Sequence, residues 1–281
     1  MRFFRWPGWS GRKSRAANHS SQAQPLKTGG HGDHWGCIIT ADRQSWLLDY
    51  IVQVANQDPH PRRFTSPTGG RALAAYSPVS GTHRQVRLCV LAENNEVVSA
   101  YPEALGGALW PVEITDIVPW ANGLEGQIEG ICAGSKVSFF DTRFYTNQRI
   151  YRKGATYNFH INGFAYVLRR AEEMEFEIEG GAKVSWQGAH AYIPAGAGNP
   201  DADIDDYWFH SPLEGEVSAL EFVGDTLQLY PVTLAVPYNF ELSINLYAAG
   251  HTLVEGMADV QPGDDLEGFL WLQGYLADDG R

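Results

Sequence analysis

Between Phe139 and Lys153 the chain interleaves five aromatic residues, Phe139, Phe140, Phe144, Tyr145 and Tyr151, with four cations, Arg143, Arg149, Arg152 and Lys153. Only Asp141 opposes them. Rings that stack on bases, set beside cations that meet phosphates, are the two ingredients of single-strand nucleic-acid binding. The same composition suits an anionic protein partner, and it also describes core aromatics of a β domain alternating with solvent-facing cations. Arg143, Phe144, Tyr145, Arg149, Tyr151, Arg152 and Lys153 are accordingly the candidate binding residues for nucleic acid or an anionic partner.

Other clusters point to weaker chemistry. Asp201, Asp203, Asp205 and Asp206 start like a calcium loop, and the first three are the candidate metal ligands. The template then fails, because Asp206 stands where glycine should make the sharp turn and Pro212 where the closing glutamate belongs. His31, Asp33, His34 and Cys37 carry metal-capable side chains within seven residues. No second cluster with zinc spacing follows them, and the stretch reads as a mobile linker. Cys37, Cys89 and Cys132 lie in apolar surroundings, as buried free thiols of a reducing cytoplasm do. No nucleophile elbow, phosphate-cradling loop or paired-histidine motif is present, so no catalytic residue is assigned and no cofactor is expected.

Charge separates the chain into two parts. Residues 1–30 hold six basic residues and no acid, which leaves 15 basic against 33 acidic residues, a net of −18, for the remainder. An acidic body argues against phosphate neutralisation over the whole surface. Residues 1–33 read as a basic disordered tail. No run of apolar residues is long enough for a membrane span.

These residues need a scaffold, and its pattern is mostly β. Trp35 to Thr40 reads as a short strand. From Asp42, the spacing of Trp46, Leu47, Tyr50, Ile51 and Val54 predicts an amphipathic helix ending at Asp58-Pro59. The Pro- and Gly-rich run to Gly81 reads as a loop, and two strands then join at Asn94-Asn95. Residues 34–122 thus form a small α+β unit. In residues 123–281, Asn162-Gly163 predicts a tight hairpin pairing Ile161 with Phe164. A three-residue loop near Gly180 pairs Phe176 with Trp186, and a turn at Gly224-Asp225 pairs Phe222 with Leu227. Further strands fall at Gly126 to Cys132, Lys136 to Phe140, Glu241 to Ala248 and Leu266 to Leu276, the last apolar on both faces and therefore central.

The fold class is mainly β with a small α+β unit, the C-terminal half being an antiparallel barrel or sandwich, or two packed β units. This hairpin-rich half resembles oligonucleotide-binding-type barrels in general layout, although its roughly ten strands exceed what a five-stranded barrel uses. The expected function is that of a non-catalytic cytoplasmic binding or adaptor protein recognising a protein partner. The alternatives are a single-stranded nucleic-acid-binding protein and an enzyme whose site is assembled from distant residues.

Overall fold

The computed structural model describes residues 31, 34–80, 85–172, 175–177, 183–195, 204–236 and 240–277. Residues 1–30, 32 and 33 of the expected tail lie outside these, as do Asp201 and Asp203. His31, counted with the tail, is buried.

The segment expected as a first strand is instead a 3-10 turn, His34–Cys37. Trp35 is its pivot: its carbonyl accepts from Ile38 N and Ile39 N, while its ring is buried and donates to Ala100 O at 3.2 Å. The predicted helix is α1 (Gln44–Gln57), which buries Leu47, Ile51 and Val54 and leaves Trp46 at the rim, stacked on Tyr50.

The expected loop to Gly81 contains two strands, β1 (Arg62–Thr65) and β2 (Arg71–Tyr76). Pro67 and Gly69-Gly70 make the turn between them, with φ of 85° at Gly69, so the breakers bound the strands rather than abolish them. β3 (Gln85–Glu93) and β4 (Glu96–Leu105) follow through Asn94-Asn95, whose φ values of 52° and 70° are those of the expected tight hairpin. The four strands form one antiparallel sheet in chain order.

Five later strands close a barrel: β5 (Leu109–Pro119), β6 (Gly126–Cys132), β7 (Ser135–Asp141), β8 (Thr156–Arg170) and, far along the chain, β16 (Asp265–Leu276). Numbered first to fifth, they neighbour one another in the order first, second, third, fifth, fourth, first, with the third and fifth parallel. This is the connectivity of an oligonucleotide-binding barrel. The short helix α2 (Phe144–Asn147) lies between β7 and β8.

Surplus strands come from the segment inserted between β8 and β16. β9 (Glu175–Glu177) and β10 (Lys183–Ser185) form a separate pair. β11 (Ala191–Pro194) and β12 (Asp206–Pro212) extend the sheet beyond β16. β13 (Ser218–Phe222), β14 (Asp225–Val236) and β15 (Phe240–Ala249) extend it beyond β8. The high strand count thus reflects an elaborated small barrel. β5 pairs with β6 and β8 as a barrel strand.

The largest correction is at Asn162-Gly163, which turns nothing: residues 156–170 are one strand. An alternating apolar pattern reads equally as a hairpin or as a strand buried on both sides. Phe159 and Ile161 enter the barrel core while Phe164 faces the sheet unit, which is the opposite of a shared hairpin face. Asn162 is buried, donating to Gly106 O at 3.1 Å and accepting from Asn245 at 3.3 Å. Gly163 leaves room for β15, since a Cβ there would approach Leu246 Cδ1 to 3.2 Å. Two real hairpins have shifted registers. Val184 faces Phe176, and Phe222 faces Asp225 across a Val223-Gly224 turn with φ of 51° and 69°. Both slips are of two residues, which preserves the faces.

Burial divides the molecule into two cores. Inside the barrel, Trp110, Val112 and Ile114 of β5 alternate with exposed residues and meet Ile128, Phe139, Phe159, Leu270 and Leu272. The second core lies between the four-stranded sheet and the outside of the barrel, where Phe140, Phe164 and Trp271 meet Trp35, Leu88, Val90 and Tyr101.

Candidate functional site

The seam between sheet and barrel holds the densest chemistry among the described residues. β7 and β16 alternate, so Phe139, Leu270 and Leu272 point into the barrel while Phe140 and Trp271 point out at the sheet. Gln127 and Gln273 on the same outer face are also buried. In oligonucleotide-binding barrels this is the side that takes a strand; here the chain's own N-terminal unit covers it.

The β5–β6 connection is shaped by Asn122, whose Oδ1 accepts from Leu124 N at 3.0 Å and Glu125 N at 3.1 Å. Gly123 supplies the positive φ of 65°. That turn drives Glu125 into the seam, where it is 1% exposed. Its Oε1 accepts from Ser99 Oγ at 2.7 Å, and Oε2 accepts from Asn122 Nδ2.

His31 Nε2 completes the set at 2.6 Å from Glu125 Oε1. Phe140, Trp120, Tyr101 and Trp271 surround the imidazole at centroid distances of 4.6, 4.8, 5.1 and 5.4 Å. His31 Nδ1 lies 3.0 Å from His34 Nδ1, and His34 is stacked on Trp271 at 4.1 Å. Because Glu125 accepts, His31 Nε2 carries the proton and its Nδ1 accepts from His34. Burial lowers the His31 pKa despite the raising effect of Glu125, which favours this neutral form. On the far side Asp205 is fully buried and accepts from Gln127 at 2.6 Å and from the Trp271 indole at 2.9 Å. These contacts give Asp205, one of the expected metal ligands, a structural part. No group of three or more metal-capable side chains gathers among the described residues.

A second polar knot ties β3 and β4 to the barrel. Glu103, fully buried, pairs with Arg87 at 2.5 Å and Arg143 at 2.7 Å. Arg143 also lies 3.9 Å over the Tyr275 ring. Burial alone would lower the Arg143 pKa; Glu103 beside it raises it overall. Asp141, enclosed below the Tyr151 hydroxyl at 2.6 Å, is pushed up to about 7 by burial.

The strip from Phe139 to Lys153 is split by these contacts. Phe144, Tyr145 and Tyr151 are buried, Tyr145 stacking on Phe64 at 5.1 Å. Arg149 and Arg152 are exposed, and Lys153 pairs with Asp116 at 2.7 Å. Of the expected binding residues, Arg149, Arg152 and Lys153 reach solvent, Arg143 is turned to Glu103, and Phe144, Tyr145 and Tyr151 face inward. Burial also raises the three thiols, Cys132 to about 11, which keeps them protonated.

A polar depression of about 190 Å³ lies between Arg170, Glu172, Gln187, His210, Asp264 and Asp265. Arg170 and Asp264 neutralise each other across it at 2.5 Å.

His31 and Phe140 were singled out in separate clusters, but their convergence escaped the sequence reading because the seam draws on positions 31, 99–101, 120–125, 140 and 271. The one local signal is Asn122-Gly123 followed by a carboxylate within an apolar stretch. No family model, curated protein or solved structure matches the chain.

Proposed function

We propose that the protein is a non-catalytic binding protein, an adaptor, whose partner is a polypeptide and whose reading face is the outer side of β6, β7 and β16. One observation carries this reading: that face closes on a stretch of polypeptide, with the His31 ring held among four aromatic rings and both its nitrogens matched by polar partners. Aromatic anchors with a few placed polar groups are the ordinary currency of protein recognition. The buried free thiols suit a reducing compartment, and we assign the protein to the cytoplasm on that ground. No helix among the described residues is long and apolar enough to cross a membrane.

The test sets peptide against nucleic acid. A displayed peptide library and fluorescent single-stranded oligonucleotides are offered to the full chain at low ionic strength. The reading predicts selected peptides and no retained oligonucleotide. Oligonucleotide binding that weakens steeply with salt and is lost in Arg149→Ala/Arg152→Ala would replace it with the nucleic-acid reading.

A further inference from the structure

We propose that the seam pocket is a binding site for a histidine side chain presented by a partner polypeptide, and that His31 fills it in cis as a displaceable plug. The proposal rests on the polypeptide-binding reading above and names what that site recognises.

The walls and the floor are built without His31. Tyr101, Trp120, Phe140 and Trp271 belong to three barrel strands' neighbourhood and to β4, each buried in the second core. Glu125 is oriented by Ser99, Asn122 and the turn in which Trp120 N donates to Glu125 O at 2.8 Å. The acceptor therefore stays aimed at the pocket when the ring is elsewhere. On the opposite side His34 is fixed by stacking on Trp271 and by its place in the 3-10 turn.

The two polar contacts select a ring. Glu125 requires an N–H and His34 meets a lone pair, and the two sit on opposite nitrogens of one imidazole. A phenyl ring fills the same space and satisfies neither, leaving a buried carboxylate short of one donor. An N-methylated imidazole keeps the lone pair but loses the N–H. A neutral imidazole of a partner side chain provides both.

The chain from Trp35 onward has anchors of its own. Trp35, Cys37, Ile38 and Ile39 are buried and anchor the chain just beyond the plug. Among the described residues, His31 is tied by its ring contacts and by a backbone bond in which its carbonyl accepts from Trp35 N at 3.1 Å. A partner's histidine competes for the contacts that the His31 ring makes with Glu125, His34 and the four aromatic rings.

The experiment uses the full-length His31→Gly variant, with free imidazole as the probe. Imidazole is expected to bind with a Kd on the order of 1 mM, as the small size of the ring dictates. At about ten times that concentration, melting should rise by roughly 2–3 °C. Wild type should show no rise, and neither should His31→Gly with N-methylimidazole. Adding Glu125→Gln should weaken imidazole binding at least tenfold. Panning a displayed peptide library on His31→Gly should enrich histidine at least tenfold over its input frequency, with weaker retention on wild type.

Equal shifts with imidazole and N-methylimidazole, or no shift in the folded variant, would overturn the ring site. Imidazole uptake with peptides selected but no histidine enrichment would overturn the partner assignment, and a library yielding no peptide at all would sink the polypeptide reading beneath it. Nitrogen NMR of the wild-type His31 ring is a check that does not depend on the variant folding. An Nε2–H tautomer is expected, and an Nδ1–H or doubly protonated ring would overturn the recognition scheme.

Discussion

The barrel interior and the seam are both sealed from water, but they are built by opposite chemistries. Inside the barrel, Phe139 and Phe159 meet edge to face at 4.9 Å among Leu, Ile and Val side chains. That region needs only shape and alternation. In the seam Glu103, Glu125 and Asp205 are buried carboxylates, each satisfied by named donors. Such a region is stable only when its pairing is complete, because one missing partner leaves a desolvated charge behind. The difference separates the scaffold from the proposed recognition surface: volume specifies the first, and donors and acceptors specify the second.

Variants in the two regions should therefore fail differently. Phe139→Ala opens a cavity in the barrel and should lose about 3–5 kcal/mol in denaturant titration, by the same amount at every pH from 5 to 8. A loss that changes with pH would show that the barrel core is coupled to the polar seam. Glu103→Gln strands Arg87 and Arg143 and should also lose about 3–5 kcal/mol. A loss below about 1 kcal/mol would mean that water reaches the knot and the seam is open there.

Asp141 sharpens the comparison through pH. Its carboxyl holds a proton in the folded state up to about 7, whereas the unfolded chain releases it near 3.8. The unfolded state is thus favoured as pH rises between those values, and the contribution is lost on going up, not down. Asp141→Asn should flatten this decline and be the more stable protein at pH 8, by a few kcal/mol on the order of the linkage. An unchanged slope from pH 4 to 7 would remove Asp141 as its source. The smallest effect is expected at the surface. Lys153→Ala breaks the exposed pair with Asp116 and should change stability by less than about 1 kcal/mol, vanishing with added salt.

The same division explains what could be read from the sequence. β6, β7, β15 and β16 were legible because each is an apolar-rich run of strand length with no Asn-Gly inside it, and the Asn94-Asn95 turn was legible from its local chemistry. β8 was not, because a strand buried on both faces mimics a hairpin wherever Asn-Gly falls inside it. The 3-10 turn at His34–Cys37 was read as a strand because its apolar residues serve tertiary burial rather than a periodic face. The seam left almost no trace. Glu125 and Asp205 resemble any surface acid until the barrel closes, and His31 resembles part of a polar tail. The Phe139–Lys153 strip was visible, but its composition alone could not separate inward rings from outward cations.

Thermal unfolding of wild type and His31→Phe from pH 5 to 8 tests most directly whether the seam is specified by a neutral imidazole. Glu125 and Asp205 raise the His31 pKa, while His34 and the dominant burial lower it, so the folded pKa lies below the unfolded 6.5. His31 stabilises the fold fully above that value and less as pH falls through it toward the folded pKa. Wild type should exceed the phenylalanine variant above pH 6.5, with the gap closing on acidification; a gap that is constant, or that widens in acid, would contradict the account.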